Sequence, residues 1–425
     1  MTEQNIKKDV LLSTIGGYFV AALNFVVNLI LIRHLSAELY GLFSYIVNQS
    51  RRIFRFLDFS FVELILISKK RDLKLSELTE SFILHSIVRL LIVLIGGWFA
   101  AWYTDNLKIL SVISFLIVYA NVRYFYIFGI VHFYEAYFNT KTAQIFYTLS
   151  AFIFLLFTFL LPYVYETTLY NFAFSFFVAS LFIVVVISSH LLQNSGYKNI
   201  QFSKKVFNAL KSHSLFLQLP ILFGILTKFI QETLIIVEQS AEIFAFYSVS
   251  LLIGSIAVIG ARGAIRPLGP YLWSKDKISL RPYIIIGIFM YAFAIIGSYF
   301  SGVFENILLL LNDNYQGVGI YLSLGVILAI SLAYSQIIQT FIKGLGLIKN
   351  LSIVSTFITI ISLVLTLLAY YYLNIECFAI NLLIIEITVT IMNIVILILI
   401  YKLNIRFIDE SDKNLNFGET NNENL

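Results

Sequence analysis

"SAELYGLFS", residues 36–44, is nearly repeated as "SAEIFAFYS", residues 240–248. Ser, Ala, Glu and the final Ser are identical, and most other positions keep their chemical character. The two copies lie 204 positions apart in a chain of 425 residues, close to half its length. A weaker echo links "FYEAYFNTK" (133–141) with "FIKGLGLIK" (341–349). We therefore expect a chain made of two related halves.

The composition is typical of a membrane protein. Hydrophobic residues make up 59% of the chain and charged residues only 12%, against about 45–50% and about 25% in soluble proteins. A spanning helix needs about 20 mostly apolar residues. The apolar runs predict an all-α polytopic membrane protein with about twelve transmembrane helices, near 10–32, 42–67, 80–103, 109–130, 143–162, 169–191, 215–237, 244–266, 283–303, 318–341, 351–373 and 378–401.

The position of the repeat predicts how the halves are related. The copies follow the first and the seventh predicted span, so six spans separate them and both halves share one orientation. This predicts parallel repeats about an axis along the membrane normal, with a transport path between two six-helix bundles. We expect an N-terminal bundle over 1–192, a cytoplasmic linker over 193–214, a C-terminal bundle over 215–402 and a disordered cytoplasmic tail over 403–425.

The positive charges outside the predicted spans indicate the orientation. Twenty-one Lys and Arg residues lie at one set of span ends, and only Arg33 and Lys108 lie at the other. Because cytoplasmic loops carry the excess of Lys and Arg, both termini are expected to be cytoplasmic. The net charge of +5 reflects this topology, and we expect no nucleic acid as a partner. The single cysteine, Cys377, and the scattered histidines predict no metal site.

The remaining cations lie within predicted spans. The stretch "NQSRRIFRFLDFSF", residues 48–61, carries a cationic stripe along one face of the second span at about 100° per residue. A charge at mid-bilayer costs about 2.5 kcal/mol or more, so such residues normally face a bundle interior or an aqueous cavity. The cations within spans are Arg51, Arg52, Arg55, Arg89, Arg123 and Lys228; candidate acids are Asp58, Glu232 and Glu386.

These cations exceed the nearby acids, and we expect them to form an anion-binding cavity. Arginine suits phosphate because its planar fork donates two parallel hydrogen bonds and stays charged. A substrate with a phosphate-bearing head group and an apolar tail fits this arrangement. The alternative is that the charges pair with one another to hold helices together. Arg55 with Asp58, three residues apart, and Lys228 with Glu232, four apart, could pair within one helix.

The sequence also resembles a known family. "LIRHLSAELYGLFSY", residues 31–45, is similar to the polysaccharide flippases of the MOP superfamily, most of all the Wzx-type O-antigen flippases. Their pattern of Leu-x-Arg-x-Leu followed by an aromatic-Gly pair corresponds here to Leu31, Arg33, Leu35, Tyr40 and Gly41. Phe244-Ala245, Tyr247-Ser248 and the early Pro220 of the seventh span also resemble the family.

The resemblance implies a V-shaped pair of bundles that alternates access across the bacterial inner membrane. The substrate would be an oligosaccharide repeat unit on undecaprenyl pyrophosphate, moved from the cytoplasmic to the periplasmic leaflet. Family members are thought to use an ion gradient, H⁺ or Na⁺, for which Asp58, Glu232 and Glu386 are the candidates. Membrane lipids and other polysaccharide-assembly proteins would be the partners, and no cofactor is implied.

Other functions stay open at this stage. A drug or cation antiporter of the related MATE type would share the architecture but would need an acidic, aromatic-lined cavity. An O-antigen polymerase, an enzyme, would be expected to have a sizeable periplasmic loop, whereas the outward connections here are short. A lipid II flippase often carries spans beyond about twelve. The intramembrane arginines and the half-chain repeat favour the oligosaccharide flippase over an enzyme.

Overall fold

The computed structural model is built from helices. The first half contains α1 (Glu3–His34), α2 (Ala37–Leu57), α3 (Leu75–Trp102), α4 (Leu107–Asn121), α5 (Ile127–Tyr137), α6 (Thr140–Val164) and α7 (Leu169–Ser195). The second contains α8 (Lys204–Leu234), α9 (Ala241–Leu252), α10 (Ser301–Leu311), α11 (Gly319–Gly344), α12 (Ile348–Tyr372) and α13 (Phe378–Glu419). The structure describes residues 3–59, 61, 64–65, 73–102, 107–137, 140–195, 203–252, 289–292, 295–344 and 347–419.

The described residues contain several helices that could span a membrane. Within the described ranges, nine helices are long and apolar enough to span, and a tenth forms if the bent pair 289–299 and 302–311 counts as one span. Helix α2 is not one of these nine, since it carries Glu38, Arg51, Arg52 and Arg55 within 21 residues. Much of the predicted spans 244–266 and 283–303 lies outside the described residues. The predicted all-helical, multi-span class is confirmed.

The repeated stretches are helix starts. Ser36 caps α2, where its hydroxyl accepts a hydrogen bond of 3.3 Å from the Leu39 amide. The hydroxyl of Ser240 accepts the equivalent bond of 3.1 Å from the Ile243 amide at the start of α9. Such a bond satisfies an amide that has no partner within the helix. The Ser-Ala-Glu repeat therefore encodes the same cap twice.

The two halves pack by the same scheme. In the first half α1 contacts α6, α4 contacts both α3 and α7, and α6 contacts α7. In the second half α8 contacts α12, α11 contacts both α10 and α13, and α12 contacts α13. Each pair in one half corresponds to a pair in the other at the offset between the sequence copies. The helix pairing thus repeats along with the sequence.

The halves touch closely at the repeat itself. A methyl carbon placed on Gly41 of α2 would overlap the Ala241 carbonyl oxygen of α9 and lie 3.3 Å from the Ala245 amide nitrogen. Position 245 is the repeat equivalent of position 41. Nearby, the hydroxyls of Tyr45 and Thr233 share a hydrogen bond of 2.9 Å. The small residues here let the two halves approach backbone to backbone.

The second span is broken, contrary to the prediction of one continuous run over 42–67. Helix α2 ends at Leu57, Asp58 follows as its cap, and Phe59 has a positive φ of 48°. The sequence contains no Gly or Pro at this point, so nothing local signals the break. At the break, the Asp58 carboxylate accepts a hydrogen bond from Arg89 of α3.

The predicted linker 193–214 is mostly helical where the structure describes it. Helix α8 begins at Lys204, because Val206, Ala209 and Leu210 form a buried face opposite the exposed Lys204 and Lys205. The polar residues of this segment thus belong to the amphipathic first turns of α8. Helix α13 continues to Glu419, while the side chains after Lys402 lie outside the described residues. The disordered tail over 403–425 stays a prediction.

An aromatic core ties the first half together. Tyr119 of α4 stacks on Phe176 of α7 with ring centroids 4.5 Å apart, and it meets Phe154 of α6 edge-on at 5.1 Å. Phe43 of α2 lies 5.8 Å from Phe176. Aromatic pairs in these arrangements add about 0.5–1.5 kcal/mol each beyond area burial. This core fixes α2, which carries Arg51, Arg52 and Arg55, and α4, which continues into the turn that carries Arg123.

Candidate functional site

A cavity of about 500 Å³ lies between the halves. Helices α1, α2, α5 and α6, with the turn Val122–Tyr126 before α5, form most of its wall, and α8, α9 and α11 contribute from the second half. Its polar lining includes Asn24, Asn28, Asn48, Arg51, Arg52, Arg123, Tyr124 and Glu232. This volume falls in the range of about 300–1,000 Å³ that is typical of small-molecule sites.

Two arginines in this cavity rest on aromatic rings. The guanidinium groups of Arg51 and Arg123 each lie 5.3 Å from the ring centre of Tyr124, and that of Arg123 also lies 5.3 Å from Tyr119. No carboxylate in the described part of the chain forms an ion pair with either arginine. Aromatic faces hold a cation without neutralising its charge or occupying its N–H donors.

A π-helical turn, Val122–Tyr126, places Arg123 and Tyr124 at the cavity. It joins α4 to α5 within one continuous span, Lys108–Tyr134. Arg123 and Tyr124, which are adjacent in sequence, both line the cavity, while Phe125 and Tyr126 are buried in the bundle. Single π turns within helices occur frequently at functional sites. The turn therefore presents a cation and its aromatic support together.

The third arginine in the lining is paired. Two N–H groups of Arg52 donate to the two carboxylate oxygens of Glu232, and the Gln49 amide donates to the same carboxylate at 3.1 Å. Glu232 is fully buried, and the Arg52 side chain is 13% exposed. Arg52 and Gln49 lie on α2 and Glu232 on α8, so this pair joins the two halves.

Lys228 lies outside the described cavity lining. Its ammonium group forms an ion pair with Glu386 of α13 and lies 3.5 Å from the Tyr247 hydroxyl. The Tyr247 hydroxyl donates to Glu386 at 3.0 Å. Lys228 and Glu232 therefore pair with other helices and not with each other, although their spacing allowed a pair within α8.

Arg89 is not brought to the cavity either. It is 1% exposed and donates to Asp58 at 2.7 Å and to Asn121 at 3.3 Å. Its guanidinium also lies 4.9 Å from the Phe125 ring centre. Asp58 therefore pairs with Arg89 across helices and not with Arg55. This buried pair holds α3 against the broken end of α2.

The predicted cationic set thus separates into groups. The structure brings Arg51, Arg52 and Arg123 together in the cavity. Arg55 is exposed on α2 and lies outside the described lining. The three candidate coupling acids, Asp58, Glu232 and Glu386, each carry a cationic partner.

Sequence reasoning did not assign several polar residues of the site. Gln49, Asn48 and Tyr124 offered no signal beyond their neighbouring arginines. Asn24 and Asn28 did offer one, because amides are uncommon in an apolar span, and these two align with Lys228 and Glu232 at the repeat offset. Their alignment marks the same depth in both halves.

No family model matches the chain, and no curated relative matches it. Several solved structures, however, match the chain in fold. An inward-facing multidrug resistance MATE transporter of the MOP superfamily aligns with a TM-score of 0.64 at 11% identity, covering 89% of this chain and 94% of that one. A Vibrio cholerae MATE transporter variant aligns at 0.64 and 14% identity, covering 95% and 98%. A Pyrococcus furiosus MOP superfamily transporter, reported with a binding pocket of reversed polarity, aligns at 0.66 and 12% identity, covering 93% and 95%.

These alignments extend over nearly the whole length of both partners. At such low identity they establish the architecture alone. The protein described here is a multi-pass membrane protein with the fold of the MOP-superfamily transporters.

Proposed function

We propose that this protein is a flippase, which moves an undecaprenyl-pyrophosphate-linked oligosaccharide of the O-antigen repeat type from the cytoplasmic to the periplasmic leaflet. Alternating access of the two six-helix halves would carry it across the bacterial inner membrane, with both termini cytoplasmic. The observation that supports this best is a cavity between the halves in which Arg51 and Arg123 face open space without a carboxylate partner in the described ranges.

The electrostatics of the cavity favour an anion. Its described lining contains three arginines and one carboxylate, Glu232, which Arg52 already neutralises. The charges of Arg51 and Arg123 therefore remain available at low dielectric, where Coulomb interactions are strong. A diphosphate offers two adjacent anionic groups to these two forks. Its isoprenyl tail could stay in lipid while the head group lies in the cavity.

The same lining argues against the cation antiporter. An organic cation would need an unpaired carboxylate, and the described residues of the cavity provide none. Likeness to MATE structures does not decide the question, since one aligned MOP superfamily transporter is itself reported with reversed pocket polarity. The fold therefore accommodates cavities of either sign.

Ion coupling would act through a buried acid of this network. Glu232 is the best placed, because it lies at the cavity wall and contacts the other half through Arg52. Asp58 and Glu386 lie outside the described lining and would act through their partners Arg89 and Lys228. Membrane lipids and other polysaccharide-assembly proteins complete the proposed partners.

A flipping assay tests the proposal. The protein, reconstituted in liposomes, should move a fluorescent isoprenyl-diphosphate glycolipid to the opposite leaflet. Arg51→Gln and Arg123→Gln should each slow this movement by about tenfold or more, because each removes charge-assisted hydrogen bonds to the anion. Lys141→Gln is the matched control, since Lys141 is exposed on α6 and lies outside the described lining.

Parallel measurements in cells separate the alternatives. A strain without the gene should accumulate lipid-linked repeat units on the cytoplasmic leaflet, and the arginine variants should fail to restore surface polysaccharide. Resistance to cationic dyes should not change. Normal polysaccharide from the Arg51→Gln/Arg123→Gln double variant at wild-type protein level would refute the anion cavity. Lost dye resistance in the same strain would favour the cation antiporter.

A further inference from the structure

Two ion pairs meet where α2, α8 and α13 come together. Arg52 of α2 pairs with Glu232 of α8. Lys228 of α8 pairs with Glu386 of α13. Arg52 also interacts electrostatically with Glu386, and Tyr247 of α9 does so with both acids. The two pairs therefore form one network, in which two positive charges balance two negative charges.

The pairs differ in which halves they join. Lys228 and Glu386 both belong to the second half, so relative movement of the halves leaves their pair intact. Arg52 belongs to the first half, so separation along α2 would take both Arg52 and the Gln49 amide away from Glu232. A carboxylate at this depth is strongly unfavourable without a counterion. Separation would therefore be easier if a second cation could reach Glu232.

Lys228 is placed to be that cation. It precedes Glu232 by four residues on α8, the spacing at which opposite charges on one helix can pair. Its ammonium group is carried by a flexible four-carbon stem, and its side chain is 32% exposed, which leaves it room to move. Glu386 would keep a hydrogen bond of 3.0 Å from the Tyr247 hydroxyl, since both residues lie in the second half.

The two halves differ at these positions. The repeat offset aligns Lys228 with Asn24 and Glu232 with Asn28, and asparagine carries no charge. Asn28 donates to the Asn24 carbonyl and accepts from the Tyr40 hydroxyl, all within the first half. The shared fold is therefore built without charges at these two positions of the first half. The Lys228–Glu232 spacing is a feature that the second half has in addition.

We propose that Lys228 is the alternate partner of Glu232 and replaces Arg52 there when the halves separate. This inference rests on the proposed function, because it takes Arg52 to be released into the cavity that Arg51 and Arg123 line. The released guanidinium adds a third cation to the diphosphate site. A bound anion would thus draw Arg52 from Glu232, while Lys228 keeps the carboxylate neutralised.

Double-mutant cycles on the protein in detergent test the exchange without substrate. Two changes that remove the same interaction cost less together than their separate costs add up to. In wild type, Lys228→Met and Glu232→Gln should lower the melting temperature close to additively, because each group has another partner. In the Arg52→Met background the double variant should melt about 2 °C or more above the additive value. Additive costs in both backgrounds would overturn the exchange.

Two further cycles are the controls. Lys228→Met and Glu386→Gln should be coupled in wild type and less coupled in the Arg52→Met background, since Lys228 then leaves Glu386. Lys205→Met is the matched lysine control, because Lys205 is exposed near the start of the same helix. It should be additive with Glu232→Gln in both backgrounds. Coupling at Lys205 as well would be a general charge effect and would overturn the assignment to Lys228.

Binding of farnesyl diphosphate in nanodiscs tests the link to the anion in proteins that keep Arg52. Lys228→Met/Glu386→Gln should bind this probe about fivefold more weakly than Glu386→Gln, because only the single variant keeps a lysine that can neutralise Glu232. A purely structural pair predicts the reverse order, since removal of both partners is less harmful than removal of one. Equal or reversed affinities would overturn the link. If wild type binds no farnesyl diphosphate, the proposed function fails and the link fails with it, while the cycles still decide whether Lys228 replaces Arg52.

Discussion

Arg52 of α2 and Glu232 of α8 form a two-pronged ion pair that joins the halves of the chain at the cavity wall. Gln49 donates to the same carboxylate, and the Tyr45–Thr233 hydrogen bond continues the contact along α2. Positions 45, 49 and 52 lie on one face of the helix. Under the proposed function, alternating access would require the halves to separate along this line, and the pair would then stabilise one of the two access states.

Removal of either partner of this pair should destabilise the protein. Arg52→Met leaves a buried carboxylate without a counterion, which costs about 3–5 kcal/mol in fully buried pairs and less here beside the cavity. We expect a clear decrease in melting temperature in detergent. The charge-swapped variant Arg52→Glu/Glu232→Arg should recover part of the loss. A double variant no more stable than the sum of its single changes would show that the two groups are not coupled.

Arg55 belongs to the cationic stripe predicted from the sequence but not to the cavity lining in the structure, so a variant at this position tests which of the two binds the anion. If the stripe as a whole binds the anion, Arg55→Gln should impair transport as strongly as Arg51→Gln. Because Arg55 lies outside the described lining, we expect Arg55→Gln to keep most of the flipping rate. The comparison is made in the same liposomes at matched protein content, and equal losses would extend the site along α2.

Tyr124 should act as a positioning residue for Arg51 and Arg123. Tyr124→Phe keeps the ring under both guanidinium groups and should retain near-normal transport. Tyr124→Leu removes the aromatic face, and the affinity for a diphosphate probe should decrease severalfold. Equal binding by the Phe and Leu variants would contradict this role, since only the cation–π contact distinguishes them.

Gly41 should tolerate no side chain. Gly41→Ala places a methyl group against the Ala241 carbonyl, and such overpacking costs about 1–3 kcal/mol. We expect a lower melting temperature and slower transport. Gly96→Ala on α3 is the control, because a methyl group there meets no described atom within 4 Å beyond its chain neighbours and its own helix backbone. Equal melting temperatures for the two variants would contradict the close contact.

The Arg89–Asp58 pair should act in stability more than in substrate binding. Asp58→Asn leaves a nearly unexposed guanidinium without its counterion, which should lower the melting temperature markedly. Replacement of both partners, as in Arg89→Met/Asp58→Leu, should be less harmful than the single change. Diphosphate affinity, measured below the melting transition, should change little. If these variants lost diphosphate affinity without a loss of stability, Arg89 would have to be part of the binding site.

The sequence alone predicted the class of fold because its signals are local. The length of each apolar run predicts a spanning helix. The duplicated stretch includes the serine that caps the following helix, Ser36 in one copy and Ser240 in the other, so the repeat could be recognised without knowledge of the tertiary structure. The break at Phe59 could not be predicted, since no Gly or Pro marks it and Asp58, at the break, pairs with Arg89 on another helix.

The site was predictable only in part. Helical periodicity placed Arg51 on the polar face of α2, where it lines the cavity. Periodicity could not show that neighbouring Arg52 is neutralised, because its partner Glu232 lies 180 residues away and the pairing depends on how the halves meet. The free or paired state of each cation is a property of the assembled bundle.

The contact at Gly41 has a further consequence for the origin of this architecture. Position 41 touches position 245, its own counterpart, so like surfaces meet as they do in an isologous dimer. A polypeptide ending near residue 195 would carry one such surface, already small enough for self-association. Two copies of that surface would meet through Gly41 in the way the two halves of this chain do.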